Sequence, residues 1–279
     1  MQPVLVIHGG AGARAKSDLE PIRKSISKIL KSAYPLLLKG GSAVEAVTEA
    51  VRLLEDDPLF NAGKGSKIQS DGRIRMSAAI MDGHNRKFGG CVNVEGLKNP
   101  IQLARLLMKE RDRVLAGKGA VNYARSKNMA FASPVTPKAL ESFKRKQTGK
   151  TGTVGAVAID RKGRMAAATS TGGRGNEYPF RVSDSPTTAG NFANSFAAVS
   201  ATGIGEQIVE FSVASSLCAF VDAGIPLDRA ARKLLKEARS KKAEFGFIAL
   251  DRKGHVHAGK TTPSLIWGSA FRHEVLIGF

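Results

Sequence analysis

Gly152-Thr153-Val154-Gly155-Ala156-Val157-Ala158-Ile159-Asp160, followed at 169–173 by Thr-Ser-Thr-Gly-Gly, joins two kinds of sequence. Val154 to Asp160 and Met165 to Thr169 read as strands joined by the turn Asp160-Arg161-Lys162-Gly163, a hairpin pattern. Upstream, from Ser133 to Gly152, the chain carries Pro134, Pro137, a Lys and Arg run, Gly149 and Gly152, with little apolar periodicity after Phe143, and reads as an exposed linker. Thr153 stands where linker becomes strand. A threonine hydroxyl is a poor nucleophile until a base takes its proton, and the five scattered histidines give no Ser-His-Asp constellation. If the bond before Thr153 is cut, the new α-amine, with a reference pKa of about 7.7 to 8.0, lies on the same residue as the hydroxyl and can accept that proton near neutral pH.

On either side of this segment the elements alternate. Val4 to Ile7 reads as a strand running into a turn, His8-Gly9-Gly10-Ala11-Gly12, in which His8 is structural rather than a base. Ser17 with Glu20, and Ser42 with Glu45, have capping-box spacing; the first helix should run towards Gly40-Gly41, kinked or shortened at Pro35. The second carries Val44, Val47, Ala50, Val51 and Leu54 on one face, a core stripe, and Asn99-Pro100 opens a third helix through Met108. After the linker, a second hairpin (Phe247 to Asp251 and His255 to Ala258) uses another Asp-Arg-Lys-Gly turn. Helices are predicted over Glu206 to Ala223 and Leu227 to Arg239. This order suits sheets in the middle with helices outside, in one domain over 1–279.

Composition narrows the function classes. With 279 residues and 42% hydrophobic content the chain can bury a full core, and no run approaches the roughly 18 to 20 apolar residues of a membrane span. The start lacks a basic-then-apolar leader, so a soluble, cytoplasmic protein is expected. Cys91 and Cys218 lack metal-ligand spacing and read as ordinary buried thiols. The net charge of +19 is spread over separate segments, including Arg105 to Arg113, Lys144 to Lys150 and Arg232 to Lys242. Aromatics for base stacking are few, so a solvated basic surface is favoured over a nucleic-acid face.

Several blocks, in order and spacing, resemble the plant-type asparaginase and isoaspartyl peptidase family of N-terminal nucleophile hydrolases: Ile7-His8-Gly9-Gly10-Ala11-Gly12, Leu53 to Gly63, Met81-Asp82-Gly83, the segment at Thr153, Arg181-Val182-Ser183-Asp184-Ser185-Pro186, and Ala201-Thr202-Gly203-Ile204-Gly205-Glu206. The resemblance implies a four-layer αββα sandwich in the α/β (α+β) class. It implies a precursor that cuts itself at Gly152-Thr153, dividing an α-subunit part (1–132) and a linker (133–152) from a β-subunit part (153–279). It makes Thr153 the nucleophile, with Thr171 supporting its hydroxyl and Asn61 within reach. Thr202 and the amide of Gly203 become the oxyanion hole, and Arg181 and Asp184 the partners of the substrate's α-carboxylate and α-ammonium. The substrates implied are L-asparagine and β-aspartyl dipeptides, with no required cofactor and a homodimer of cleaved αβ units. The family's sodium loop carries over to backbone carbonyls of Leu54, Glu55, Asp57, Phe60, Ala62 and Lys64.

The chain departs from that family at Phe180 and Ser183, which replace two glycines, at Thr187 to Asn191, and at Thr261 to Trp267. Bulk at Phe180 is expected to tighten the pocket, shift preference between asparagine and dipeptides, or slow turnover. Two alternatives remain: a glycosylasparaginase-like amidase, and a non-catalytic protein of this fold whose basic surface binds nucleic acid.

Overall fold

The hairpin around Thr153 builds the centre of the larger of two sheets. In the computed structural model, which describes residues 1–13, 16–146, 152–272 and 274–279, the chain runs β1 (Val4–Ala11), α1 (Lys16–Leu38), α2 (Ala43–Asp56), a 3-10 turn (Gly63–Gly65), β2 (Met76–Asp82), β3 (Lys87–Val94), α3 (Pro100–Leu107), β4 (Val114–Ala116), α4 (Gly117–Ser126) and α5 (Pro137–Lys144). It continues through β5 (Val154–Ile159), β6 (Met165–Thr171), β7 (Asn191–Ala193), β8 (Ala197–Gly203), α6 (Gly205–Glu210), α7 (Val213–Asp222), α8 (Leu227–Ser240), β9 (Phe245–Asp251), β10 (Val256–Lys260), β11 (Leu265–Phe271) and β12 (Glu274–Gly278).

Among the described residues one sheet has eight strands in the order β12-β11-β1-β5-β6-β2-β3-β4, and the other four, β10-β9-β8-β7. The sheets stack face to face. Helices α1 to α3 cover the outer face of the large sheet, and α7 and α8 that of the small one, giving the αββα sandwich. Period-two alternation assigns each strand residue to a layer. Along β5, Val154, Ala156 and Ala158 face the helices, while Val157 and Ile159 join Val4, Val6, Met165, Ala167, Ala198, Ile248 and Leu250 between the sheets. Both faces are buried, which is why these strands are apolar without obvious alternation.

The Ser42 capping box forms as predicted, its hydroxyl accepting from Glu45 N–H while Glu45 accepts from Ser42 N–H. Other expectations change. Helix α1 begins at Lys16, so Ser17 lies inside it, and it passes through Pro35, which falls in its last turn; Gly40 and Gly41 then close it through bonds to Leu37 and Leu36 carbonyls. His8 belongs to strand β1 rather than to a turn, the irregularity coming between His8 and Ala11. The stretch 133–152 contains α5, capped by the Thr136 hydroxyl on Ala139 N–H with Pro137 in its first turn; it buries little beyond Ala139. Residues 147–151 of that stretch lie outside the described residues. The helix predicted from Glu206 to Ala223 is two, α6 and α7, separated at Ser212, whose φ is 47°. Cys91 and Cys218 are both buried, and burial pushes both thiols up. Among the described residues no helix is long and apolar enough to cross a membrane.

Candidate active site

Toward one end of the strands the layer between the sheets changes from apolar to polar. His8, Thr153, Thr169, Thr171, Ser200 and Thr202 are all buried there, on β1, just before β5, on β6 and on β8. Register brings them together: Gly155 pairs with His8 on one side and Thr169 on the other. A Cβ at Gly155 would sit 2.0 Å from Ser200 Oγ and 2.5 Å from His8 Nε2, so glycine there leaves the space in which the two sheets' polar groups meet. His8 Nε2 and Ser200 Oγ are 2.8 Å apart, and Ser200 Oγ is 2.7 Å from Thr169 Oγ1. Burial pushes the His8 pKa down to about 3, partly opposed by the Thr153 backbone, so the ring is neutral and serves as a buried link.

Above this network a cavity of about 330 Å³ is lined by Asn61, Gly152, Thr153, Thr171, Gly173, Arg174, Arg181, Ser183, Asp184, Gly203, Ile204, Gly205 and Glu206. The Thr153 hydroxyl donates to Thr171 Oγ1 at 3.2 Å, and Thr171 Oγ1 also accepts from Gly173 N–H at 3.3 Å. Gly152 has φ 145°, and a Cβ on it would lie 2.2 Å from Asn61 Cβ; the residue before the nucleophile can only be glycine in this setting. Asn61 in turn donates from Nδ2 to Gly173 O and accepts from Gly172 N–H at its own carbonyl, leaving its buried Oδ1 without a partner.

Across the cavity, Thr202 is fully buried and its Oγ1 has no partner. Gly203 follows at φ 144°, where a side chain would collide with Phe245 and the Glu244 carbonyl. Asp184 is almost wholly buried and its Oδ2 is also unpartnered; burial pushes its pKa up to about 7, against the pull of Arg181. Thr187 closes the loop behind it, bonding the Asp184 carbonyl through both its amide and its hydroxyl. The Arg181 guanidinium is held by both oxygens of Glu206, at 2.7 and 2.8 Å, and this pairing keeps the Glu206 pKa down to about 2.

Every residue assigned a catalytic or recognition role from the sequence therefore borders this cavity except Thr202, which lies buried beside Gly203. The sequence reading missed Glu206. Its signal was a carboxylate at the start of a helix four residues after Thr202, with no capping hydroxyl to explain it. Arg174, Ile204 and Gly205 were missed too, having only their neighbours to recommend them. One expectation is corrected: Phe180 does not line the cavity, and its ring lies over Arg75 instead, so the pocket is not narrowed there; Ser183 does line it. The loop residues named for sodium flank Asn61 in sequence, and the Glu55 side chain among them is turned into the core, its Oε1 accepting from Ser170 Oγ at 2.6 Å and Ile101 N–H at 3.0 Å while its Oε2 is buried without a partner.

A buried hydroxyl beside a second hydroxyl, faced by unpartnered donors and by an Arg–Asp pair, is the equipment of an acyl-transfer site for a small zwitterion. Comparison with known proteins agrees. The profile of the asparaginase family matches residues 1–276, through the divergent segment at Thr261 to Trp267. The chain is 41% identical to an isoaspartyl peptidase/L-asparaginase of Synechocystis, over all of this chain and 90% of the relative, and 42% identical to that of Nostoc, over all of this chain and 94% of the relative. It is 39% identical to an isoaspartyl peptidase of Salmonella typhimurium, over 91% of this chain and 90% of the relative. The chain belongs to the asparaginase family.

Proposed function

We propose that this chain is a threonine hydrolase that cuts itself at Gly152-Thr153 and then hydrolyses the side-chain amide of L-asparagine and of β-aspartyl dipeptides. The observation that carries the reading is the Thr153 hydroxyl, bonded to Thr171 and facing Arg181 and Asp184 across one small cavity. In the first step Thr153 Oγ attacks the Gly152 carbonyl carbon; the C–N bond breaks as the ester forms, its nitrogen taking a proton to become the free Thr153 α-amine, and water then hydrolyses the ester to a Gly152 carboxylate and the Thr153 hydroxyl. In the second, that amine takes the hydroxyl proton while Thr153 Oγ attacks the substrate's side-chain carbonyl. Ammonia, or the amino group of the leaving residue, departs with the proton, and water hydrolyses the β-aspartyl ester.

The remaining groups follow from charge. The unpartnered Thr202 hydroxyl and the Gly203 amide stabilise the oxyanion, the one place where charge appears only in the transition state. Arg181 takes the α-carboxylate in a two-point contact and Asp184, ionised, takes the α-ammonium, supplying the partner that its Oδ2 lacks. Asn61 Oδ1, unpartnered in the same cavity lining, would orient the Thr153 amine. In the loop proposed for sodium, a Cβ on Gly63 would lie 2.3 Å from the Glu55 carbonyl and one on Gly65 1.8 Å from that of Phe60, so these two glycines let the loop wind tightly. The carbonyls of Leu54, Glu55, Asp57, Phe60, Ala62 and Lys64 would hold sodium there and brace Asn61. A homodimer of cleaved αβ units belongs to the same reading.

Denaturing mass spectrometry during incubation tests the first step, with two fragments ending at Gly152 and beginning at Thr153 expected. A single persistent chain, the same in Thr153→Ala, sinks it. Rates on L-asparagine, a β-aspartyl dipeptide and a glycosylated asparagine test the second; release from the sugar conjugate alone would replace this reading with a glycosylasparaginase.

A further inference from the structure

Phe180 holds a backbone conformation that its residue type avoids. Its φ is 66°, in the left-handed region, and the residue is 58% exposed. A bulky residue persists there only where its surroundings fix it. Three contacts do so. Phe180 N–H donates to Gln69 Oε1 at 3.3 Å, the Phe180 carbonyl accepts from Asn93 Nδ2 at 2.8 Å, and the ring covers the Arg75 guanidinium 4.0 Å from its centroid.

Arg75 is itself immobilised. Its side chain is 2% exposed, its Nη2 meets Asp71 Oδ2 at 2.8 Å, its Nη1 donates to Gln69 Oε1 at 2.6 Å, and its Nε lies 2.9 Å from Glu95 Oε1 as an ion pair rather than an aligned hydrogen bond. Gln69 Oε1 thus accepts from both Arg75 and the Phe180 amide. Asn93 is anchored separately on the large sheet, its N–H donating to Ser77 Oγ at 3.0 Å, and Ser77 is the strand partner of Thr171. A continuous set of contacts runs from the threonine beside the nucleophile to the residue before Arg181.

We infer that Phe180, stacked on Arg75, is a positioning residue that fixes the backbone of 180–184 so that Arg181 meets the substrate's α-carboxylate. The inference rests on the recognition role proposed for Arg181. Neither Phe180 nor Arg75 is in the lining of the cavity that holds Thr153 and Gly203, so the effect falls on substrate binding rather than on bond breaking. Arg181 also has to accept a carboxylate while paired with Glu206, which tolerates little displacement of its backbone. A flat cation under a flat ring provides that restraint because the stack resists tilting.

The test combines steady-state kinetics on L-asparagine with hydrogen exchange of peptides spanning 178–186, for the wild type, Phe180→Gly, Phe180→Trp, Arg75→Met and the Phe180→Gly/Arg75→Met pair. Phe180→Gly removes the backbone conflict together with the ring, so a folding failure is not expected; Arg75→Met provides the independent route if it occurs. Phe180→Gly should raise KM roughly tenfold with kcat within about twofold, and speed exchange at 181–184 by roughly tenfold. Phe180→Trp should restore both, and in the Arg75→Met background the glycine variant should add less than about twofold to KM. Unchanged KM and exchange in Phe180→Gly, or a KM effect that is the same with and without Arg75, would overturn the inference. If the wild type cleaves no amide, the activity proposal fails, and the exchange rates still decide whether the ring fixes the loop.

Discussion

The layer between the two sheets has two ends made by the same strands. At one, Val4, Val6, Val157, Ile159, Met165 and Ala167 pack as core; at the other, His8, Thr153, Thr169, Thr171, Ser200 and Thr202 put hydroxyls and an imidazole in nearly as complete burial. Strand geometry is shared, so geometry alone does not make a site. What differs is satisfaction. The apolar residues carry no side-chain polar groups to pair, whereas the polar end closes most of its hydrogen bonds internally and leaves His8 Nδ1 and the Thr202 hydroxyl, buried beside the cavity-lining Gly203, without partners. An unpartnered buried group costs on the order of 1 to 3 kcal/mol, a cost recovered only when a ligand or transition state supplies the missing contact.

The sharpest way to break this contrast is at the nucleophile. Thr153→Ala should abolish self-cleavage and lower amide hydrolysis by about 10⁴-fold or more, measured by intact mass and ammonia release, while thermal stability stays near that of the uncut wild type. Next comes the open hydroxyl: Thr202→Val, which keeps shape and removes the donor, should lower kcat by about 10² to 10³ with KM little changed. A third test uses pH. Asp184 binds an ammonium only when ionised, and its pKa is raised to about 7, so the binding form is lost as pH falls below that value. KM for L-asparagine should therefore rise by up to about tenfold per unit below pH 7, and this dependence should be absent from Asp184→Asn. At the apolar end the smallest catalytic effect is expected: Ile159→Ala should cost about 2 to 5 kcal/mol in denaturant unfolding and leave kcat/KM within about twofold.

Much of this layer was legible in the sequence because strands β5 and β6 carry their own signals. The Asp-Arg-Lys-Gly turn sets the register of the hairpin, and register fixes which threonines face inward. Arg181 and Asp184, proposed as the recognition pair, came from the family resemblance, and their charges only fit the roles it implies. Other features depend on contacts that no local pattern encodes. The break at Ser212 occurs where Phe211 packs on Phe245, ring centroids 5.5 Å apart, and Ala214 N–H is taken by the Ala189 carbonyl, so tertiary packing overrides a continuous helical pattern. His8 was read as a turn residue because three glycines and an alanine follow it; pairing with β5 and β11 makes it a strand residue. Helix α5 was the reverse case, a local signal at Thr136-Pro137 hidden among residues that suggested a linker. Phe180 was noticed as bulk, but its direction depends on Arg75, more than one hundred positions away in sequence.

Gly152, held at φ 145° against Asn61, has a consequence for how the protein ages. In the self-cleavage proposed above, nucleophile and target carbonyl sit on adjacent residues of one chain, so that reaction is first-order and indifferent to dilution. On that reading each molecule carries its own clock, started by folding and stopped by a single cut. Two samples of equal concentration but different age would hold different amounts of working enzyme, and no activating partner would need to be sought to explain the difference.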